Sequence, residues 1–124
     1  MTKKVLIVDD EQNIAISVEF LMRREGFDVM VAHDGEEGLA RIRADRPDLV
    51  VLDVMMPKLD GFEVCKAVRA DPTLAGMRIL MLTAKGRAAE IAKGLSLGAD
   101  AYIPKPFATR DLVAKVKELL GTGD

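Results

Sequence analysis

Five short apolar runs, each followed by a longer stretch of helical period, constrain this chain more than any other feature of its sequence. The runs are Val5–Val8, Val29–Ala32, Leu49–Leu52, Ile79–Leu82 and Ala101–Ile103. They are rich in Val, Ile and Leu and do not alternate with polar residues, as expected of strands covered on both faces. In the first intervening stretch Ile14, Val18, Leu21 and Met22 share one helical face, and the pattern ends near Gly26. Asp34 and Glu37 have capping-box-like spacing ahead of the second, and the third begins near Asp60-Gly61 and stops at Asp71-Pro72. The fourth spans about Arg87 to Leu97, with Gly94 inside it and Gly86 and Gly98 at its flanks; the fifth opens at Thr109, a good N-cap. Strand–helix units in series predict a parallel sheet with right-handed crossovers and helices on both faces.

The chain has 124 residues, of a length for one domain over residues 1–124. Its net charge of −2 gives no basic face, so direct binding of nucleic acid by this chain is not expected. Cys65 is the single cysteine, which excludes an internal disulfide and suits a reducing compartment. The apolar run near the N-terminus is too short for a signal peptide or a membrane span, so a cytoplasmic location without membrane contact is expected.

Parallel sheets of this kind bind ligands beyond the carboxyl ends of their strands. The first run ends in Asp9-Asp10, the third in Asp53 and the fourth in Thr83, while Lys105 follows the fifth. Three carboxylates, a hydroxyl and an ammonium would gather at one edge of the sheet. Carboxylates so close repel one another, and either a proton or a cation must relieve them. Mg²⁺ suits an oxygen-only site that leaves room for phosphate oxygens. Beside it an ionised carboxylate can act as nucleophile, with Lys and Thr positioned for phosphoryl oxygens. The chemistry implied is phosphoryl transfer to a carboxylate. Each residue alone has a plainer reading: Asp9-Asp10 as a solvated strand end, Asp53 as the start of a turn. Their joint placement favours the site.

The chain resembles the receiver domains of bacterial response regulators over nearly its whole length. The matching segments are Val8-Asp9-Asp10-Glu11, Asp53-Val54-Met55-Met56-Pro57, Asp60-Gly61, Thr83-Ala84 and Gly98 through Phe107. The resemblance implies a flavodoxin-like, doubly wound α/β fold with five parallel strands in the order 2-1-3-4-5 and five helices. It implies that Asp53 is the phosphoacceptor, Asp10 a direct Mg²⁺ ligand, and Asp9 either a ligand through water or a partner of the groups that hold the ion. The Met55 carbonyl would complete the protein's share of the coordination. Thr83 would turn toward the phosphoryl group, Lys105 would pair with it, and a cis bond before Pro106 would aim the lysine inward. Tyr102 matches an aromatic that changes rotamer on activation, although it also reads as a half-buried strand residue. The implied partners are a sensor histidine kinase or histidine phosphotransfer protein, and a downstream protein or a C-terminal output domain, with a phosphorylation-dependent dimer on the output face. Such a chain is a signalling domain that catalyses only its own phosphotransfer and dephosphorylation.

Two other chemistries on related folds fit less well. A haloacid-dehalogenase-type phosphatase needs Asp-x-Asp after its first strand, which Asp9-Asp10-Glu11 does not supply. A flavin site needs a Ser/Thr-rich phosphate cradle in the same loop. Cys65 falls on an apolar helix face and reads as core, and His33 as a surface loop residue.

Overall fold

The computed structural model describes residues 2–84 and 88–121. Its strands are β1 (Lys4–Val8), β2 (Asp28–Ala32), β3 (Leu49–Asp53), β4 (Arg78–Ala84) and β5 (Ala101–Lys105). The helices are α1 (Gln12–Arg24), α2 (Gly35–Asp45), α3 (Gly61–Arg69), α4 (Ala88–Ser96) and α5 (Thr109–Leu120), with a single 3₁₀ turn at Pro72–Leu74. All strand pairings are parallel, in the order β2-β1-β3-β4-β5. Arg87 and Gly86, at the start of the fourth expected helix, lie outside the described residues.

Side chains alternate across a strand, so each apolar run feeds two cores at once. Val5 and Ile7 of β1 join Val51, Leu80 and Leu82 beneath α1 and α5, where Val18, Met22, Leu112 and Val116 are fully buried. Leu6 and Val8 join Val50, Leu52 and Met81 beneath α2 and α3, where Ile42, Val64, Cys65 and Val68 are fully buried. Each such side chain stabilises the fold by roughly 1.5–3 kcal/mol relative to exposure. The edge strand β5 departs from the expected continuous burial. Ile103 is buried but Tyr102 and Pro104 are exposed, as β5 is an edge strand with a neighbour on one side only.

Helix starts follow the polar residues that precede them. Asp34 accepts from the Glu37 amide at 2.8 Å, while the Glu37 carboxylate accepts from the His33 amide. Asp60 and Glu63 form a complete reciprocal capping box at the head of α3. Thr109, by contrast, is the first helical residue of α5 and not its cap; Ala108 takes that place without a side-chain bond.

The opposite end of the sheet is tied by one arginine. Arg69 donates to the Gly98 carbonyl (2.9 Å), the Met77 carbonyl (2.7 Å) and the Asp100 carboxylate (2.8 Å), and Asp100 also accepts from the Ile79 amide. It thereby joins the end of α3 to the starts of β4 and β5. Arg69→Ala leaves two carbonyls and a half-buried carboxylate short of donors. Urea unfolding is expected to show a loss of about 2–3 kcal/mol, and a loss below about 0.5 kcal/mol would mean that water replaces the guanidinium.

Candidate functional site

The carboxyl ends of β1, β3, β4 and β5 bring together the residues singled out in the sequence. Asp53 is the last residue of β3, Thr83 lies near the end of β4, and Lys105 closes β5. Asp9 directly follows β1, its amide bonded to the Ala32 carbonyl at 3.2 Å. In register, Asp53 stands opposite Leu82, and Thr83 opposite Pro104. Among the described residues, the buried polar or charged ones are Asp9, Asp53 and Thr83, with 0, 5 and 1 % exposure. Among the described residues the fold buries polar ones only here, at one edge of the sheet.

Carboxylate oxygens of Asp9, Asp10 and Asp53 lie within 4.8 Å of one another, and Asp10 is the exposed member. Lys105 reaches into this cluster, with Nζ 3.2 Å from Asp9 Oδ2, 3.3 Å from Asp53 Oδ2 and 2.9 Å from Glu11 Oε1. The Lys105–Pro106 peptide is cis, as the resemblance implied. Among the described residues, four carboxylates therefore gather around one ammonium, and their negative charge is in excess. Asp9 Oδ2 lies near Lys105 but meets no aligned hydrogen-bond donor, and Thr83 Oγ1 is likewise buried without one. An oxygen-only donor set with an unsatisfied buried oxygen and surplus negative charge suits a hard divalent cation.

The electrostatics follow from this crowding. Burial pushes the Asp53 carboxyl up to about 7, the charge of Asp9 adds to the rise, and Lys105 opposes it. Burial pulls the Lys105 ammonium down, but its bond to Glu11 and the charges of Asp53 and Asp9 outweigh that and leave it above its ordinary value. In the metal-free protein the folded state thus holds a proton on Asp53 that the unfolded chain releases. Between about pH 4, the ordinary carboxylate range, and about pH 7, Asp53 therefore lowers stability as pH rises, and the loss levels off above that window. Other carboxylates titrate in the opposite sense, so the readout is a difference. With a chelator present, the unfolding free energy of Asp53→Asn is expected to rise above that of the wild type from pH 4 to pH 7, by on the order of 2 kcal/mol. A gap independent of pH would refute the buried, repelled state of Asp53.

The remaining expected residues lie around this core. Met55, in the loop after β3, is 66 % exposed, and Tyr102 on β5 is 40 % exposed. The crevice between Met81, Thr83, Ile91, Gly94 and Tyr102 has no room for a water molecule. Gly94 lets α4 approach β4 this closely, since a Cβ there would lie 2.6 Å from Met81 Sδ. Cys65 is buried and His33 exposed, both as expected. Two features escaped the sequence. Glu11 was legible only as part of an acidic run, with no sign that its side chain crosses to Lys105. Lys58 adopts a left-handed backbone, φ 70°, and pairs with Asp34 and Glu36 at 3.5 and 3.8 Å, tying the loop after β3 to α2.

The family model described as "Response regulator receiver domain" matches residues 5–117. This chain belongs to that family. The receiver domain is 49% identical over 120 residues to the alkaline phosphatase synthesis transcriptional regulatory protein PhoP of Bacillus subtilis, covering 97% of this chain and 49% of that protein. It therefore spans about half the length of that curated relative. Among solved structures it is similar to the chemotaxis response regulator CheY4 of Vibrio cholerae (TM-score 0.90, 34% identity, 96% of this chain and 99% of that one). It is also similar to a CheY-like receiver domain protein of Methanospirillum hungatei (TM-score 0.91, 35% identity, 98% and 95%). Receiver domains accept a phosphoryl group in two-component phosphorelay signalling, and that is the function of this one. No helix among the described residues is long and apolar enough to cross a membrane.

Proposed function

We propose that residues 1–124 form one receiver unit whose phosphoacceptor is Asp53. The observation that carries this reading is the burial of Asp9, Asp53 and Thr83 at a single sheet edge, with Lys105 across from them. Asp10 and Asp53, the Met55 carbonyl and, through water, Asp9 would hold Mg²⁺. When bound, the ion neutralises charge on the transferring phosphoryl group.

The protein's own groups do the rest. An Asp53 carboxylate oxygen attacks the phosphorus of a phosphohistidine on a sensor kinase or phosphotransfer protein. The new O–P bond forms as the N–P bond breaks, and the histidine nitrogen keeps the electron pair and takes up a proton. Lys105 donates to a phosphoryl oxygen, which draws its ammonium from the carboxylates toward the new dianion. The unpartnered Thr83 hydroxyl turns to a second oxygen and opens space behind it. Tyr102, on the same closed crevice, moves inward and changes the face formed by β4, α4, β5 and α5. That face would signal to a downstream protein or a C-terminal output domain, and would support a phosphorylation-dependent dimer. We place the protein in the cytoplasm, where it turns over no substrate beyond its own phosphorylation and dephosphorylation. Incubation with Mg²⁺ and a small acyl-phosphate or phosphoramidate donor is expected to add the mass of one phosphoryl group, and a chelator to prevent it. An unmodified mass under both conditions would overturn the reading.

A further inference from the structure

Lys105 is held by three carboxylates, yet only one of them meets it as an aligned hydrogen bond. That one is Glu11, at 2.9 Å, contributed from 94 positions away in the chain. Asp9 and Asp53 lie farther from the same nitrogen, at 3.2 and 3.3 Å, and Asp9 Oδ2 has no aligned donor at all. The one aligned hydrogen bond of the ammonium thus goes to a side chain that is 60 % exposed, not to either of the two buried carboxylates.

The backbone around Glu11 supports a role for this side chain beyond the helix it begins. Glu11 is the N-cap residue of α1, a position whose side chain commonly accepts a bond from the first turn; here it accepts none. Its amide instead donates to Asp9 Oδ1 at 2.9 Å. Residue 11 therefore touches the site twice, fixing Asp9 through the main chain and Lys105 through the side chain. A substitution removes only the second contact.

We propose that Glu11 is a positioning residue that holds the Lys105 ammonium at the mouth of the acidic pocket and so keeps it from competing with a divalent cation for Asp9 and Asp53. An ammonium has three donors and aligns them with whatever acceptors surround it. Without the outward pull of Glu11, Lys105 settles on the buried pair and supplies the positive charge that the metal would otherwise bring. With Glu11 present, the lysine has a place to remain when the metal enters. It stays within reach of the phosphoryl group that follows. This inference rests on the reading of Asp9, Asp10 and Asp53 as a divalent-cation site.

The test is a double-mutant cycle on Mg²⁺ affinity, followed by chemical-shift titration of backbone amides with magnesium chloride. Glu11→Gln keeps the size, the exposed position and the amide bond to Asp9. It is expected to weaken Mg²⁺ binding roughly tenfold, the lower range for loss of a group that orients a metal site. In a Lys105→Ala background the same substitution is expected to change affinity less than about twofold, because the ammonium it restrains is gone. The Lys105 NH₃⁺ resonance in ¹⁵N spectra gives a second readout: on Glu11→Gln it should shift in the metal-free protein while the melting temperature holds. Equal losses in both backgrounds would show Glu11 to act as a general surface charge and overturn the proposal, as would unchanged affinity in the single variant. Failure of the wild type to bind Mg²⁺ at these residues would overturn the metal reading first, and this inference with it.

Discussion

Asp53→Asn is expected to abolish phosphoryl uptake completely while leaving the protein folded and, without metal, more stable. The substitution is nearly isosteric at a position that is 5 % exposed, so the packing around β3 and the pairing with β4 are kept. What changes is chemistry. A carboxamide is not a nucleophile toward phosphorus at neutral pH, and its oxygen is a weaker ligand for a hard cation than a carboxylate oxygen. The gain in stability has the same origin as the function. Asp53 is forced to share a buried space with Asp9, and its charged form is disfavoured until a cation arrives. Removing the charge removes the repulsion and the reactivity together. Intact-mass spectra of both proteins, after the same exposure to Mg²⁺ and a small phosphodonor, measure the first effect, and thermal melts with a chelator measure the second. A variant that gains a phosphoryl group as fast as the wild type would move the acceptor to another carboxylate. Asp10 would be the first to examine, since it is the exposed member of the cluster.

The parts of this molecule that could be read from sequence are those set by continuous local patterns. Val5–Val8 and Leu49–Leu52 are apolar at every position because both faces of β1 and β3 are covered, and no other element type needs that pattern at that length. Asp53 was legible because a charged residue ending such a run has to lie at the strand's carboxyl end, and Asp9, Thr83 and Lys105 follow from the same rule. The strand order came through the family resemblance, as periodicity does not say which runs become neighbours. The misplaced cap of α5 has a local cause: Thr109 and Ala108 differ by one step in a helix start, and residue preference does not resolve one step. The packing role of Gly94 left no mark in the sequence, which shows only a glycine inside the fourth helical stretch, whereas the close approach to Met81 makes it the residue that permits α4 to pack on β4. The Glu11–Lys105 bond and the Arg69 tie were out of reach for a different reason. Both join segments far apart in the chain, and side chains that meet only after folding leave no periodic trace.

Gly61→Ala is expected to damage the site from outside it, although residue 61 carries no side chain at all. The Gly61 amide donates to the Val54 carbonyl at 2.9 Å, which draws the head of α3 against the chain just past Asp53. A Cβ at Gly61 would collide with the Asp53 carbonyl oxygen, and would lie 2.9 Å from Val54 Cα and 3.1 Å from the Asp53 carbonyl carbon. All of these are main-chain atoms, so no rotamer change relieves the contact. Nor can the helix start simply slide, because the Asp60–Glu63 capping box fixes it one residue earlier. The strain must be taken by the segment that runs from Asp53 to Met55. The expected cost is about 2–4 kcal/mol of stability, at the upper end for overpacking because backbone meets backbone. Phosphorylation by a small donor is expected to slow by roughly 100-fold, as a displacement near 1 Å of a reacting group does elsewhere. Gly76→Ala supplies the control, since a Cβ there meets nothing within 4 Å and should leave both quantities nearly unchanged. If Gly61→Ala melted and reacted like Gly76→Ala, the backbone near Asp53 would be compliant, and the acceptor's position would have to be set by Lys105 and Asp9 from across the pocket instead of by the packing of α3 beneath it.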